Sequence, residues 1–321
     1  MNKLLATTIL LCFTLQSYSQ PNSLGSKIPR TSWGSPDLQG VWTAATVTPL
    51  ERPLSLGDKP ILTEEERVKI EIEREQFLQS RSANPDPGTP GGYNRFWLDS
   101  GTLTLEDGRS SLIIDPPDGR IPWQPESKQW SDVQSARYGV GPYDDYTDLD
   151  TGERCITDGI SMVALQPYNM NYQIVQTEDT IVIAHEMYHE YRIIPLDDRP
   201  FVSDKITQWL GDARAHWEGD TLVIESRNFA DKLDQYWAWP WRSARSSLIL
   251  IERLTRIDDS NMEYLVTISD PRMFTQSWTI SAPMTTDQAS RGVTEGPIFE
   301  FACHEGNYAL PNVLRGAQIK P

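Results

Sequence analysis

Residues 172–194 read YQIVQTEDTIVIAHEMYHEYRII, and this stretch decides the fold class. β-Branched and aromatic residues, which favour strands, fill it on both sides of the polar pair Glu178 and Asp179. The pattern predicts a hairpin in which residues 172–177 and 180–194 are the two strands. The chain is therefore expected to be built on an antiparallel sheet.

The same stretch contains HEMYH at 185–189, which matches the H-E-x-x-H string of zinc proteases. Zinc binding by that string requires an α-helix, because only the helical period points both histidines toward one metal. The flanking residues favour a strand instead, and Pro195 follows them. We therefore interpret the stretch as extended and predict no metal ligands here.

An extended strand alternates its side chains between two faces. One face of residues 180–194 would then carry a set of protic and apolar side chains: His185, Met187, His189 and Tyr191. This face is the first candidate site. The alternative is that these are ordinary polar residues on a solvent-facing strand.

Further short strand patterns, separated by turn signals, run along the rest of the chain. They are predicted at 37–43, 111–115, 216–217, 221–225, 248–256, 263–269, 278–282 and 299–303. The predicted fold class is all-β and antiparallel, either a lipocalin-like barrel or a sandwich. One N-terminal surface helix is predicted over residues 63–80, because Thr63 and Glu66 form a capping box.

The first nineteen residues have the pattern of a secretory signal peptide, with Lys3 before a short apolar run and small residues before Gln20. We predict a signal peptide at 1–19, a single β-rich domain at 20–321, and a periplasmic or secreted location.

The net charge of −16 argues against nucleic acid and anionic membranes as partners. In an oxidising compartment Cys155 and Cys303 are expected to form a disulfide; two isolated thiols are the alternative.

Two other segments are candidates for binding. Residues 236–242, YWAWPWR, place Trp239 and Arg242 in a loop that would either plug a barrel end or stack on a sugar. The acidic residues of 144–153 depart from the EF-hand pattern, which leaves an irregular calcium site as one interpretation. We predict no cofactor, although a divalent cation is possible.

Several segments resemble a family of exported bacterial proteins of mostly unassigned activity. They are 37–42 (DLQGVW), 111–122 with DPPDG at its centre, 153–155 (ERC), 186–195, 217–223 (WEGDTLV) and 303–307 (CHEGN). The segments spread over most of the chain, whereas the Trp-rich residues 236–245 depart from the family pattern. A similar protein is an ulvan-oligosaccharide dehydratase of marine bacteria.

This resemblance implies a carbon–oxygen lyase that removes water from the non-reducing-end uronic acid of anionic, ulvan-type oligosaccharides. We expect His189 to be the base and Tyr191 or His304 the acid, with His185 as the base if the strand register differs. The substrate-binding candidates are Arg192, Arg214, Trp239, Arg242 and Asn307.

Two alternatives from other functional classes remain at this point. A non-catalytic lipocalin-like barrel would bind a small ligand in an apolar interior. A zinc-dependent hydrolase would use the histidines of residues 185–189.

Overall fold

The structure is a computed structural model that describes residues 28–81, 99, 101–137, 139–157, 169–231, 241 and 245–319. The predicted signal peptide lies outside the described residues. So do Trp239 and Arg242, so the two interpretations of the Trp-rich segment stay predictions.

The described residues form eleven strands that make a nearly closed antiparallel barrel, which confirms the predicted all-β fold. The strands are β1 Gly40–Thr43, β2 Ile113–Asp115, β3 Asn171–Gln176, β4 Thr180–His185, β5 Glu190–Pro195, β6 Asp212–Glu218, β7 Thr221–Arg227, β8 Ile249–Arg256, β9 Asn261–Ser269, β10 Trp278–Ser281 and β11 Met284–Thr285. Nine of them follow the order β5-β4-β3-β1-β11-β9-β8-β7-β6, while β10 pairs with β9 and β2.

Within the described ranges, three α-helices accompany the sheet: α1 Glu64–Arg81, α2 Pro125–Arg137 and α3 Ala309–Gln318. The predicted capping box of α1 is confirmed, because the Thr63 N–H donates to Glu66 Oε2 at 2.7 Å and the Glu66 N–H donates to Thr63 Oγ1 at 3.3 Å. Helices α2 and α3 were not predicted. The first is polar nearly all round, and the second contains Pro311 and Gly316, which are typical of loops.

The core lies inside the sheet and is made of side chains that alternate along the strands. Its largest fully buried members include Trp42, Trp278, Tyr172, Tyr264 and Phe229. In β8 and β9 every second residue is buried, as expected for strands with one face toward a core. The predicted hairpin turn between β6 and β7 is also confirmed, and its Gly219 has a φ of 62° that favours glycine.

The prediction of one strand over 180–194 is wrong. Strand β4 ends at His185, residues 186–189 turn, and β5 returns antiparallel to β4 from Glu190. The turn contains a short 3-10 helix, Met187–His189, so residues 185–189 do not form the α-helix that a zinc-protease motif requires. The turn has no Gly or Pro; Tyr188 (φ 58°) and His189 (φ 48°) adopt the left-handed conformation instead.

The predicted strand at 299–303 is also wrong, since these residues are irregular and end in a bend in which the Cys303 N–H donates to Phe301 O at 3.0 Å. The Phe301 N–H and the Phe299 carbonyl oxygen contact His189 Nε2, which belongs to the β4–β5 turn. The predicted disulfide between Cys155 and Cys303 is confirmed, and it joins positions 148 residues apart.

Candidate functional site

A row of four inward-facing side chains crosses β1, β3, β4 and β5. The strand register places Trp42 opposite Tyr172, Tyr172 opposite His185, and His185 opposite Glu190. Directly opposite residues of an antiparallel pair lie on the same face of the sheet. All four are buried, with exposed fractions of 0% for Trp42 and Tyr172, 1% for His185 and 8% for Glu190. An imidazole, a carboxylate and a phenol are thus adjacent inside the barrel.

His185 and Glu190 form the centre of this row. The imidazole stacks on the Tyr172 ring, with centroids 4.6 Å apart and planes inclined by 10°. His185 Nδ1 lies 3.9 Å from Glu190 Oε2, which is an ion-pair distance but too long for a hydrogen bond. Within the described residues, no hydrogen-bond partner reaches either ring nitrogen of His185 or either carboxylate oxygen of Glu190. Buried polar groups are normally hydrogen-bonded, so this pair has unused capacity for a ligand or a proton.

Glu186, at the other end of the turn, is bonded differently. It is 1% exposed, and its carboxylate accepts hydrogen bonds from Asn171 Nδ2 at 3.1 Å and from the Asn169 amide. These bonds fasten the start of the turn to the beginning of β3. Of the two buried glutamates that flank the turn, Glu186 has a structural role and Glu190 is available for chemistry.

Arg192 is the next inward residue of β5 and belongs to a satisfied polar network. Its guanidinium donates to Glu252 Oε1 at 2.9 Å, to Glu252 Oε2 at 2.5 Å and to Ser226 Oγ at 2.8 Å. The Tyr264 hydroxyl donates to Glu252 Oε1 at 2.6 Å. Burial and the Glu252 charge raise the pKa of Tyr264 well above its usual value, so the phenol stays protonated. The predicted substrate carboxylate would have to compete with Glu252 for Arg192.

Arg214 also has partners from the chain itself. Its Nη1 lies 2.6 Å from Asp212 Oδ1, its Nη2 donates to Pro200 O at 2.9 Å, and its guanidinium lies 5.2 Å from the centroid of the Phe201 ring. Binding of a substrate by Arg214 stays a prediction. Arg242, the third arginine predicted to bind substrate, lies outside the described residues.

The predicted shared face of His185, His189 and Tyr191 is wrong, because the turn at 186–189 interrupts the alternation. His185 points into the barrel, whereas Tyr191 pairs with Ala184, is 58% exposed and faces outward. His189 lies in the turn itself, where its Nε2 is 3.2 Å from the Phe301 backbone nitrogen. We predicted that His185 would be the base if the strand register differed. His185 therefore replaces His189 as the candidate base.

The C-terminal candidates lie near the disulfide. His304 is exposed in the turn that follows Cys303, and Asn307 donates from its side-chain amide to Cys155 Sγ at 3.3 Å. The structure brings neither side chain into the row that contains His185. Within the described residues, neither side chain contacts that row. The roles of His304 as acid and of Asn307 as substrate ligand stay predictions.

Sequence reasoning missed Tyr172 and Glu190 as site residues. Tyr172 could have been predicted from the sequence, because a two-residue turn at 178–179 sets the strand register and puts Tyr172 opposite His185. Glu190 had no such signal, since a continuous strand would place it on the face opposite to His185.

The acidic segment 144–153 uses its carboxylates to cap local turns. Asp148 accepts from the backbone N–H groups of Asp144 and Asp145, and Asp150 and Glu153 bond each other's backbone. Burial raises the pKa of Glu153. In the part of the chain that the structure describes, no group of three or more His, Cys, Asp or Glu side chains could hold a metal ion.

Comparison with protein-family models, with curated proteins and with solved structures found no match to this chain. Across the described ranges, none of the helices has both the length and the apolar character needed to span a membrane.

Proposed function

We propose that the chain is a carbon–oxygen lyase that removes water from the non-reducing-end uronic acid of an anionic, ulvan-type oligosaccharide. The observation that carries this proposal is the buried pair of His185 and Glu190, whose polar atoms have no hydrogen-bond partner among the described residues. Acid–base enzymes place a histidine beside a carboxylate in this way, because the carboxylate stabilises the imidazolium that forms when the histidine takes a proton.

The elimination begins at C5 of the uronate, the carbon alpha to its carboxylate. His185 takes the C5 proton, and the electron pair of that C–H bond forms the C4–C5 double bond as the C4–O bond breaks. Tyr172, whose ring stacks on the imidazole, protonates the departing hydroxyl, and water leaves. The imidazolium and the phenolate then return to neutral by passing one proton through solvent. No step in this scheme requires a metal.

The substrate carboxylate must be neutralised, because negative charge develops on it in the transition state as the C5 proton is removed. Arg192 and Arg214 are each paired with a carboxylate of the chain. We therefore propose Arg242 for this role, with Trp239 as the ring on which the sugar stacks.

We also propose an extracytoplasmic location, periplasmic or secreted. The disulfide between Cys155 and Cys303 supports it, since such bonds persist in oxidising compartments and are rare in the cytosol. Polysaccharide fragments too large to enter a cell are available there as substrates.

The test is a product screen with the purified chain and a panel of uronate oligosaccharides that includes ulvan fragments. We expect a product lighter by one water that shows the ultraviolet absorbance of an unsaturated uronate. The absence of such a product from every oligosaccharide in the panel would contradict the proposal. Release of a shortened oligosaccharide without loss of water would point to a hydrolase.

A further inference from the structure

The turn that joins His185 to Glu190 is strained. Tyr188 has φ 58° and ψ 8°, and His189 has φ 48°, so two successive non-glycine residues adopt the left-handed conformation. Each such residue costs free energy, and the conformation persists only where surrounding contacts hold it. The strain therefore favours opening of this turn whenever those contacts are lost.

Residues 299–303, which we call the latch segment, supply the contacts. His189 Nε2 lies 3.2 Å from both the backbone nitrogen of Phe301 and the carbonyl oxygen of Phe299. In one neutral tautomer it accepts from the Phe301 N–H, and in the other it donates to Phe299 O, so either form is held by the latch segment. The rings of Tyr188 and Phe301 also pack, with centroids 4.8 Å apart.

The latch segment is fixed at its end by a covalent bond. Cys303 is joined to Cys155, and Asn307 donates to Cys155 Sγ at 3.3 Å. Among the described residues, the start of the turn is held separately, because Glu186 is bonded to Asn169 and Asn171. The contacts to residues 299–303 involve Tyr188 and His189, which can therefore move while Glu186 and the covalently anchored segment stay in place.

We propose that Tyr188 and His189 form a gate to the His185–Glu190 pair and that His189 is the positioning residue that latches the gate to residues 299–303. His185 is 1% exposed and Glu190 8%, so an oligosaccharide reaches them only when this end of the barrel opens. The inference rests on the proposed function, because the gate admits substrate to that pair. Its test uses a chemical readout that needs no turnover.

The experiment measures acylation of individual histidines by diethylpyrocarbonate in the full chain, read by peptide mass spectrometry. His216, whose side chain is 62% exposed, is the internal reference. We expect His185 to react slowly relative to His216 in the native chain. His189→Ala should raise the relative rate at His185 about fivefold, which corresponds to the net loss of one hydrogen bond. If His189→Ala does not fold, Tyr188→Ala is used instead. It removes the ring contact with Phe301 and should also raise the relative rate at His185.

A conservative replacement of His189 distinguishes loss of its contacts with residues 299–303 from a general loosening of the fold. His189→Gln should keep the relative rate near the native value, because its amide reaches the same backbone groups of Phe299 and Phe301. The matched control is His304→Ala, which removes an exposed histidine from the adjoining turn and should leave His185 protected.

The gate would be overturned by an unchanged rate at His185 in His189→Ala, or by an equal rise in His189→Gln or in His304→Ala. Faster amide exchange in the remote β8–β9 hairpin of His189→Ala would also overturn it, since the effect would then be global unfolding. A gate that opens as expected in a chain without lyase activity would refute the proposed function and leave the gate standing.

Discussion

Among the described residues, the ion pair of Arg192 with Glu252 and the pair of His185 with Glu190 both face the barrel interior, and they differ in how their atoms are bonded. Arg192 and Glu252 share two short hydrogen bonds, and Ser226 and Tyr264 satisfy further positions around them. His185 and Glu190 lie 3.9 Å apart with no hydrogen bond between them. The first pair is a structural element of the barrel, and the second has the unused bonding capacity that acid–base chemistry needs.

We predict that Arg192→Met strongly destabilises the folded chain. It leaves the carboxylate of Glu252, which is 0% exposed, without its counter-charge, and we expect a loss of about 3–5 kcal/mol in the free energy of unfolding. Urea denaturation followed by tryptophan fluorescence measures it. Arg192→Met combined with Glu252→Gln should recover much of that loss, because no unpaired charge then remains. Equal losses in the single and double variants would show that the ion pair is not what stabilises this region.

The elements of the sheet depend on their turns, and the β8–β9 turn is held by one carboxylate. Asp258 Oδ1 accepts from the backbone N–H groups of Ser260 and Asn261, both at 2.8 Å, and the Asn261 side chain adds two longer bonds. Burial by itself raises the pKa of Asp258, but these hydrogen bonds outweigh it and the net pKa is lowered.

We predict that Asp258→Ala destabilises the chain by about 1 kcal/mol at neutral pH. Because the folded-state pKa is lowered, the contribution of Asp258 is present above the ordinary pKa of an aspartate and is lost as the pH falls through the lowered value. Urea denaturation at neutral pH and at about pH 2 should therefore show a difference from the native chain that shrinks in acid. The neighbouring exposed Asp259→Ala is the control. A difference that is the same at both pH values would contradict the assignment.

How far the elements could be predicted depends on whether the turn chemistry is visible in the sequence. The capping box at Thr63 and the polar turn at 178–179 are local signals, and the structure confirms both. The turn at 186–189 carries no Gly, Pro or Asn, and its left-handed residues are held by a segment more than a hundred positions away. Such a turn depends on tertiary contacts, so local propensity could not reveal it.

The candidate site was only partly predictable for the same reason. His185 was among the candidates, but its partner Glu190 joins it only because the chain reverses between them. The predicted roles of His189 and Tyr191 assumed an unbroken strand. In the structure one lies in the turn and the other faces outward.

On the scale of the whole molecule, the disulfide connects the middle of the chain to its C-terminal part. Cys155 and Cys303 are 148 residues apart, so the cross-link removes many conformations from the unfolded chain. It also anchors the latch segment that contacts the turn between β4 and β5.

We predict that the double variant Cys155→Ser and Cys303→Ser loses roughly 2–5 kcal/mol of stability. Thermal unfolding of the native chain with added dithiothreitol should show a matching decrease in Tm. The double variant itself should not respond to the reductant, which makes it the control. An unchanged Tm in the reduced native chain, with reduction verified by thiol counting, would contradict the stabilising role.

The central claim is that His185 is the base of an elimination carried out inside the barrel, and a comparison of two histidine variants tests it most directly. Initial rates of unsaturated-uronate formation would be measured for the native chain, for His185→Gln and for His216→Ala, in which an exposed histidine of β6 is removed. We predict a decrease of about 10²–10⁴-fold for His185→Gln, the range for loss of a general base, and a native rate for His216→Ala. A folded His185→Gln variant that forms the product at the native rate would contradict the account.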